Sequence, residues 1–284
     1  MLARIYRNLG YRCRLLFDAR YLTWAERLRI VSALHLNTAT DSILARRITE
    51  GDRVPCLSIG NYKFSFVPPY PVATQKRLHG GICQVVRESF VFPELFSGKV
   101  RVRRGDTVMD LGACIGTTAL VFSRCAGPSA RVIAVEPIMH QAIRANLERN
   151  GVSNVIVVPK GVSDKKGRAV IEMGDFCLDS SMAARECTKG YYPHQMEIEL
   201  TTIDDLAEEL ALDRLDFIKM DIEGVEELAI RGAERVIRKF RPKWSVSSYH
   251  VDYANERQHT KLVAVLKKLG YRLSGKGAEH IYAW

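Results

Sequence analysis

Two groups of residues in this chain have the types and spacing to do chemistry. The stretch "VMDLGACIGTTAL", residues 108–120, places Asp110 two positions before Gly112 and opens a helical run after Gly116. Glycines at 112 and 116 let the backbone turn sharply and come close to a ligand. The free N–H groups at the start of the following helix favour an anionic group there. The second group is Glu136, twenty residues after Gly116 at the end of "RVIAVEP". An acidic side chain at that position takes the two hydroxyls of a ribose, in charge-assisted bonds of about 1.5–3 kcal/mol each. Pro137 then starts the next helix, where no N–H donor is needed.

These residues need strand ends to hold them, and the sequence supplies the rhythm. After Arg104, "DTVMDLG", "ARVIAVEP", "NVIVVPKGV", "RLDFIKMD" and "PKWSVSS" read as strands. Helical patterns such as "TTALVFSRCA" and "IMHQAIRANLERNG" lie between them. Strands alternating with helices of this length give βαβ units, hence an α/β fold with a parallel sheet and helices on both faces. The dinucleotide fingerprint G-x-G-x-x-G is replaced by G-x-x-x-G, which counts against a pyrophosphate. A nucleoside with a short zwitterionic tail suits the site better. Its ribose would lie on Glu136, its carboxylate over the glycine turn and its ammonium towards Asp110. S-adenosylmethionine is such a molecule.

Residues 1–100 read as a basic helical region with a β-hairpin, and 101–284 as the α/β domain. Leu2, Ile5, Tyr6, Leu9, Leu16 and Phe17 recur at helical spacing among five arginines. Thr23 and Glu26 form a capping box for a second helix to about residue 36, and a third is expected over 41–51. "CLSIGNYKFSF" turns at Gly60-Asn61 as a hairpin, and "PPYP" at 68–71 punctuates it.

The first 105 residues hold 18 Lys and Arg against 7 Asp and Glu, so the whole net charge of +10 resides there. Such a face draws anionic partners, a membrane surface or a nucleic acid, or is simply a solvated surface. Residues 2–17 have the composition of an interfacial helix. No apolar run approaches the ~18 residues of a membrane span, and the start carries no secretory stretch. The expectation is a cytoplasmic protein, with association at a membrane surface as its variant. Seven scattered cysteines without a C-x-x-C pair argue against a disulfide framework and a cysteine-ligated zinc.

"VMDLGACIGTTAL", "VIAVEP", "ELTTIDDL" and "LDFIKMDIEGVEELAIRGAERVI" together resemble the FkbM-type S-adenosylmethionine-dependent methyltransferases, over residues 86–245. The most specific blocks are "KMDIEG" at 219–224 and "RGA" at 231–233. Two departures stand out: Cys114 replaces a common Asn, and "WSVSSYH" replaces a strand ending in Glu. The resemblance implies a Rossmann-like, seven-stranded class I methyltransferase sheet and methyl transfer, most often to a hydroxyl oxygen. It implies a cofactor set of Asp110, Gly112, Ala113, Cys114, Gly116, Glu136, Pro137, Ser163 and Asp221. Asp221 and Glu223 follow the fourth strand and His250 the fifth, at the mouth of the site. His250 is the expected base, since imidazole titrates near working pH, with Glu223 orienting it or the substrate. Metal binding by Asp221, Glu223 and His250 is a weaker alternative, so no metal is expected.

Glu226 reads as charge at a helix N-terminus. Lys219 reads as leaning towards Asp221 or reaching the sheet edge. Residues 174–195 read as a long polar loop of the lid type, with Ser180 and Ser181 resembling a family serine pair. The expected acceptor is a small molecule or glycan, lipid-linked sugars included. Base methylation is disfavoured, because "DIEG" stands where amine-methylating enzymes carry Asn or Asp, Pro, Pro and an aromatic. Ribose methylation of RNA, or a membrane-surface binding module without catalysis, are the alternatives. No feature speaks to oligomeric state.

Overall fold

A computed structural model of the chain describes residues 22–32, 36–50, 55–65, 75–91, 99–173, 180–181, 194–251 and 256–284. The chain divides into two units, residues 1–67 with 72–94 and residues 68–71 with 95–284.

In the first unit, helix α1 (Trp24–Ser32) starts at the capping box. Thr23 N–H donates to Glu26 Oε2 at 2.7 Å, and Glu26 N–H donates to Thr23 Oγ1 at 3.3 Å. Glu26 also pairs with Arg47 at 2.7 Å. Helix α2 spans Leu36–Ala45 rather than 41–51. The chain after it becomes strand β1 (Ile48–Glu50), paired with β2 (Pro55–Ile59). The β-branched pair Ile48-Thr49 suits an extended ladder. Strand β3 (Tyr62–Ser65) closes the expected hairpin, with Ile59 opposite Tyr62. Helix α3 (Gln75–Val86), which the sequence reading does not anticipate, runs into a π-helical turn at Arg87–Val91. Leu57, Ile59, Phe64, Ile82 and Val86 are fully buried here. The expected helix over 2–17 and the "PPYP" turn lie outside the described residues.

The second unit begins with β4 (Val108–Leu111), α4 (Thr117–Ala126), β5 (Val132–Val135), α5 (His140–Arg149) and β6 (Val155–Val158). Four short strands follow or are interleaved: β7 (Gly161–Val162), β8 (Gly167–Met173), β9 (Ser180–Ser181) and β10 (His194–Thr201). Then come α6 (Ile203–Glu209), β11 (Phe217–Met220), α7 (Glu226–Arg231), α8 (Glu234–Phe240), β12 (Lys243–Ser247), α9 (His259–Lys268), β13 (Leu273–Lys276) and β14 (His280–Ala283). The main sheet has seven strands in the order β13-β14-β12-β11-β4-β5-β6. β4, β5, β6, β11 and β12 are parallel, and β14 runs against β12 and β13. "VMDL", "VIAV" and "FIKM" are buried at every position, as strands covered on both faces must be.

Register decides where the chemistry falls. Leu111 pairs with both Val135 and Met220, so Gly112, Glu136 and Asp221 leave the sheet at one level. Met220 in turn pairs with Val246, which carries the chain beyond β12 to the same edge.

Two readings of the sequence change here. β8 and β10 pair antiparallel over seven residues, from His194 opposite Met173 to Leu200 opposite Gly167. Together with β7 and β9 they build a second, four-stranded sheet. The expected 174–195 loop is therefore shorter: Ser180, Ser181, His194 and Gln195 are strand residues. Residues 174–179 and 182–193 lie outside the described set. The closing hairpin β13–β14 was not anticipated either.

Candidate active site

The glycine turn is shaped by close packing. Gly112 has φ +75°, and a Cβ there would lie 1.9 Å from the carbonyl oxygen of Asp221. The turn after β4 thus rests directly on the end of β11, and Asp221 N–H donates to Leu111 O at 3.1 Å. Cys114 also has positive φ, +50°. Asn enters that region more readily than Cys, which gives a physical reason for the family's Asn at this place. Asn146 holds the turn from α5, donating from Nδ2 to Ile115 O at 2.9 Å. Gly116 is the N-cap of α4 and supplies no side-chain cap bond. The N-terminus of this ten-residue helix therefore stands without a side-chain acceptor from its own cap.

Glu136 is buried and tightly used. Oε1 accepts from the N–H groups of Ile138 at 2.8 Å and Met139 at 3.2 Å, and Oε2 from Cys114 N–H at 3.0 Å. Burial raises its pKa, against these three bonds and the Lys219 charge. A carboxylate offers about four acceptor positions, so three backbone donors leave room for roughly one ribose hydroxyl rather than two. The same bonds displace the helix start. α5 begins at His140, not at Pro137, because the Ile138 and Met139 N–H groups turn to Glu136. Pro137 lies in the turn before it, its carbonyl 3.2 Å from His140 Nδ1.

Asp110 has no exposed surface. Thr118 Oγ1 donates to its Oδ2, and Lys219 Nζ lies 3.4 Å from its Oδ1. Burial raises the Asp110 pKa, with Lys219 and Thr118 opposing. Lys219, itself buried, donates to Gly112 O at 2.8 Å. Lys219 therefore leans on Asp110 and the turn instead of reaching the sheet edge. Asp110 holds the turn through Lys219, where an ammonium contact was expected of it. Ser163 N–H donates to Thr201 O at 2.9 Å, and its hydroxyl donates to Asp164 Oδ1 at 3.3 Å. Ala113 is buried in the turn.

The structure brings Asp221, Glu223 and His250 together. His250 Nε2 lies 3.4 Å from Asp221 Oδ1 and 3.5 Å from Glu223 Oε2. The ring is oriented by Glu226, which accepts from Nδ1 at 2.8 Å; of the two roles expected of Glu223, orienting the ring or the substrate, the first falls to Glu226. Glu226 is completely buried. Its oxygens also accept from Ile222 N–H and Gly224 N–H, both at 3.1 Å, and from Gln258 Nε2. So the residue read as a helix-terminal charge is the anchor of the histidine. Burial favours the neutral imidazole, yet the Glu226 bond and the charges of Glu226, Asp221 and Glu223 outweigh it and push the pKa up to about 9. Removing a proton from a substrate needs the neutral ring, so these surroundings work against His250 as a free base at neutral pH. Tyr249, exposed, lays its ring 4.1 Å from that of His250.

A mostly parallel seven-stranded sheet of this order, with a glycine turn after the first strand and an acidic residue after the second, is the class I methyltransferase fold. The family model "Methyltransferase FkbM domain" matches residues 110–273. That is more than half the chain, and the chain belongs to the FkbM methyltransferase family. Among solved structures it is similar to the methyltransferase FkbM from Methylobacillus flagellatus KT, with 20% identity and TM-score 0.47. That match covers 87% of this chain and 59% of the other, so the chain spans little more than half of that protein. A SAM-dependent methyltransferase from Aquifex aeolicus matches at 15% identity and TM-score 0.44, covering 72% of this chain and 96% of that one. Aeropyrum pernix fibrillarin, whose structure holds natively bound S-adenosyl-L-methionine, matches at 14% and 0.41, covering 84% and 97%. No curated protein matches the chain. Among the described residues, no helix is long and apolar enough to cross a membrane.

Proposed function

We propose that the chain binds S-adenosylmethionine and methylates a hydroxyl oxygen of a sugar, lipid-linked or other small-molecule acceptor. The observation that carries this is Glu136 at the tip of β5, bonded to Cys114 N–H of the glycine turn and retaining about one acceptor position. A ribose hydroxyl fits that position, and a carboxylate fits the N-terminus of α4, which its own cap leaves open. Bound there, S-adenosylmethionine supplies a methyl group already activated on a sulfonium. The protein's task is then mainly positioning, which can supply about 7–11 kcal/mol. Asp221 touches the glycine turn through its backbone and the His250 cluster through its side chain. An acceptor hydroxyl held at that cluster would therefore lie beside the cofactor. The exposed ring of Tyr249 gives a ring-shaped acceptor an aromatic face to lie on.

The test is transfer of labelled methyl to sugars, lipid-linked sugars, small alcohols and RNA, with cofactor binding followed by calorimetry. We expect an alkali-stable ether on a small hydroxyl acceptor, and a His250→Ala variant that turns over slowly while binding cofactor nearly as well. Label found only in RNA would favour the ribose-methylation alternative. Absence of S-adenosylmethionine binding would end the proposal.

A further inference from the structure

Glu226 determines which nitrogen of His250 carries a proton. A carboxylate accepting four bonds can only accept, so Nδ1 must donate to it, and Nε2 of the neutral ring is left with a lone pair. That lone pair is buried, makes no hydrogen bond among the described residues, and looks onto two carboxylates. Asp221 Oδ1 is likewise buried without a hydrogen bond among the described residues. Nε2 and Asp221 Oδ1, 3.4 Å apart, favour a positive charge between them. A proton on Nε2 supplies such a charge, as the raised pKa of His250 reflects, yet at 3.4 and 3.5 Å it bonds neither carboxylate closely, since charge-assisted N–H···O bonds are about 2.7–2.9 Å.

We propose that Asp221, Glu223 and His250 bind a divalent cation, through one oxygen of each carboxylate and Nε2 of the imidazole. Their ligand atoms all lie within 4.8 Å of one another. Ligands about 2.1 Å from a cation stand about 3.0 Å apart on an octahedron and about 3.4 Å apart on a tetrahedron. The two separations from Nε2, 3.4 and 3.5 Å, are close to the tetrahedral edge. Glu226 is the carboxylate that orients a ligating histidine from behind. The backbone is shaped to the same end. Glu223 has φ +59°. Next to it, a Cβ on Gly224 would lie 2.3 Å from the carbonyl of Val251, so the "DIEG" turn is pressed onto the residue after His250. One imidazole and two carboxylates suit a borderline ion such as Mn²⁺. Three protein ligands leave positions open for water or an acceptor oxygen.

The cation's part in catalysis rests on the methyl transfer proposed above. A hydroxyl bound to it becomes more acidic. The hydroxyl proton passes to solvent, the O–CH₃ bond forms as the S–CH₃ bond breaks, and the uncharged thioether leaves. His250 is then a ligand rather than the base.

The test uses the full chain, stripped with chelator and titrated with Mn²⁺ while the paramagnetic resonance of free Mn²⁺ is followed. Binding of S-adenosylhomocysteine is measured in parallel by calorimetry. We expect one saturable site that weakens tenfold or more in both Asp221→Asn and His250→Gln, with S-adenosylhomocysteine binding in His250→Gln changed by less than about threefold. Asp221 is partly exposed, so its variant keeps the test alive if His250→Gln does not fold. No saturable Mn²⁺ binding up to about 1 mM, the weak end for built cation sites, would overturn the inference. So would wild-type binding in the folded variants. Loss of cofactor binding alone, with Mn²⁺ still bound, would remove the proposed reaction and leave the cation site standing.

Discussion

Replacing Glu136 tests the cofactor site at its narrowest point. Its carboxylate has about four acceptor positions, and the N–H groups of Ile138, Met139 and Cys114 use three. If the fourth takes a ribose hydroxyl, one charge-assisted bond of about 1.5–3 kcal/mol is at stake, or roughly 10- to 150-fold in Kd. Two such bonds would give roughly 100- to 20,000-fold, so a loss above about 150-fold marks two hydroxyls and one below about 100-fold marks one. Glu136→Ala also removes the acceptor for three backbone donors at about 1 kcal/mol each, which should show as a separate loss of thermal stability. Glu136→Gln keeps one carbonyl oxygen, yet sets an NH₂ against a backbone N–H or turns it towards the ribose. Its affinity should fall at least tenfold with a smaller stability loss. Titration calorimetry with S-adenosylhomocysteine, beside thermal unfolding of each variant, gives both numbers. A folded Glu136→Ala protein that binds S-adenosylhomocysteine within twofold of wild type would refute the assignment, and the ribose would have to lie elsewhere.

Further outcomes follow from buried groups. Lys219→Met leaves Asp110 charged and unaccompanied inside the sheet, at a cost of about 3–5 kcal/mol. The double variant with Asp110→Asn should recover most of it in urea denaturation, and additive losses would mean the pair is not coupled. Gly112→Ala combines a left-handed φ, about 1–2 kcal/mol, with a Cβ 1.9 Å from Asp221 O. It should destabilise by about 3 kcal/mol or more in the same assay, and a loss under about 1 kcal/mol would contradict that close approach. The Cys83 thiol is pushed up to about 12 by burial first and by the Asp41 charge next, with Arg87 opposing. It stays protonated below that pH, so iodoacetamide should leave it unmodified in the native protein at pH 7–9, where ordinary thiols of pKa about 8.5 become reactive. Peptide mapping that finds Cys83 alkylated at the rate of an exposed thiol would rule this out.

What the sequence discloses follows the range over which a pattern acts. The helix α4 was read to the residue, because glycines at 112 and 116 and the apolar run after them are local signals. The strands "VMDL", "VIAV" and "FIKM" were legible for the same reason. The start of α5 was misplaced since Pro137 marks a helix start only while its neighbours' N–H groups remain free, and Glu136 claims them. The second sheet was missed because β8 and β10 carry alternating burial with charged residues on the open side, which reads as loop once 174–193 interrupts the pairing. The cluster at the mouth shows the limit most clearly. Asp221, Glu223 and His250 were found because each directly follows a strand of an identifiable sheet. Glu226 was not, since its place at the head of α7 already explained its charge. Its second role exists only because Met220 pairs with Val246, which brings residue 250 back over residue 226. No periodicity links two residues 24 positions apart. The link appears only when the buried donors and acceptors around the histidine are assigned partners, and among the described residues Nε2 and Asp221 Oδ1 remain without one.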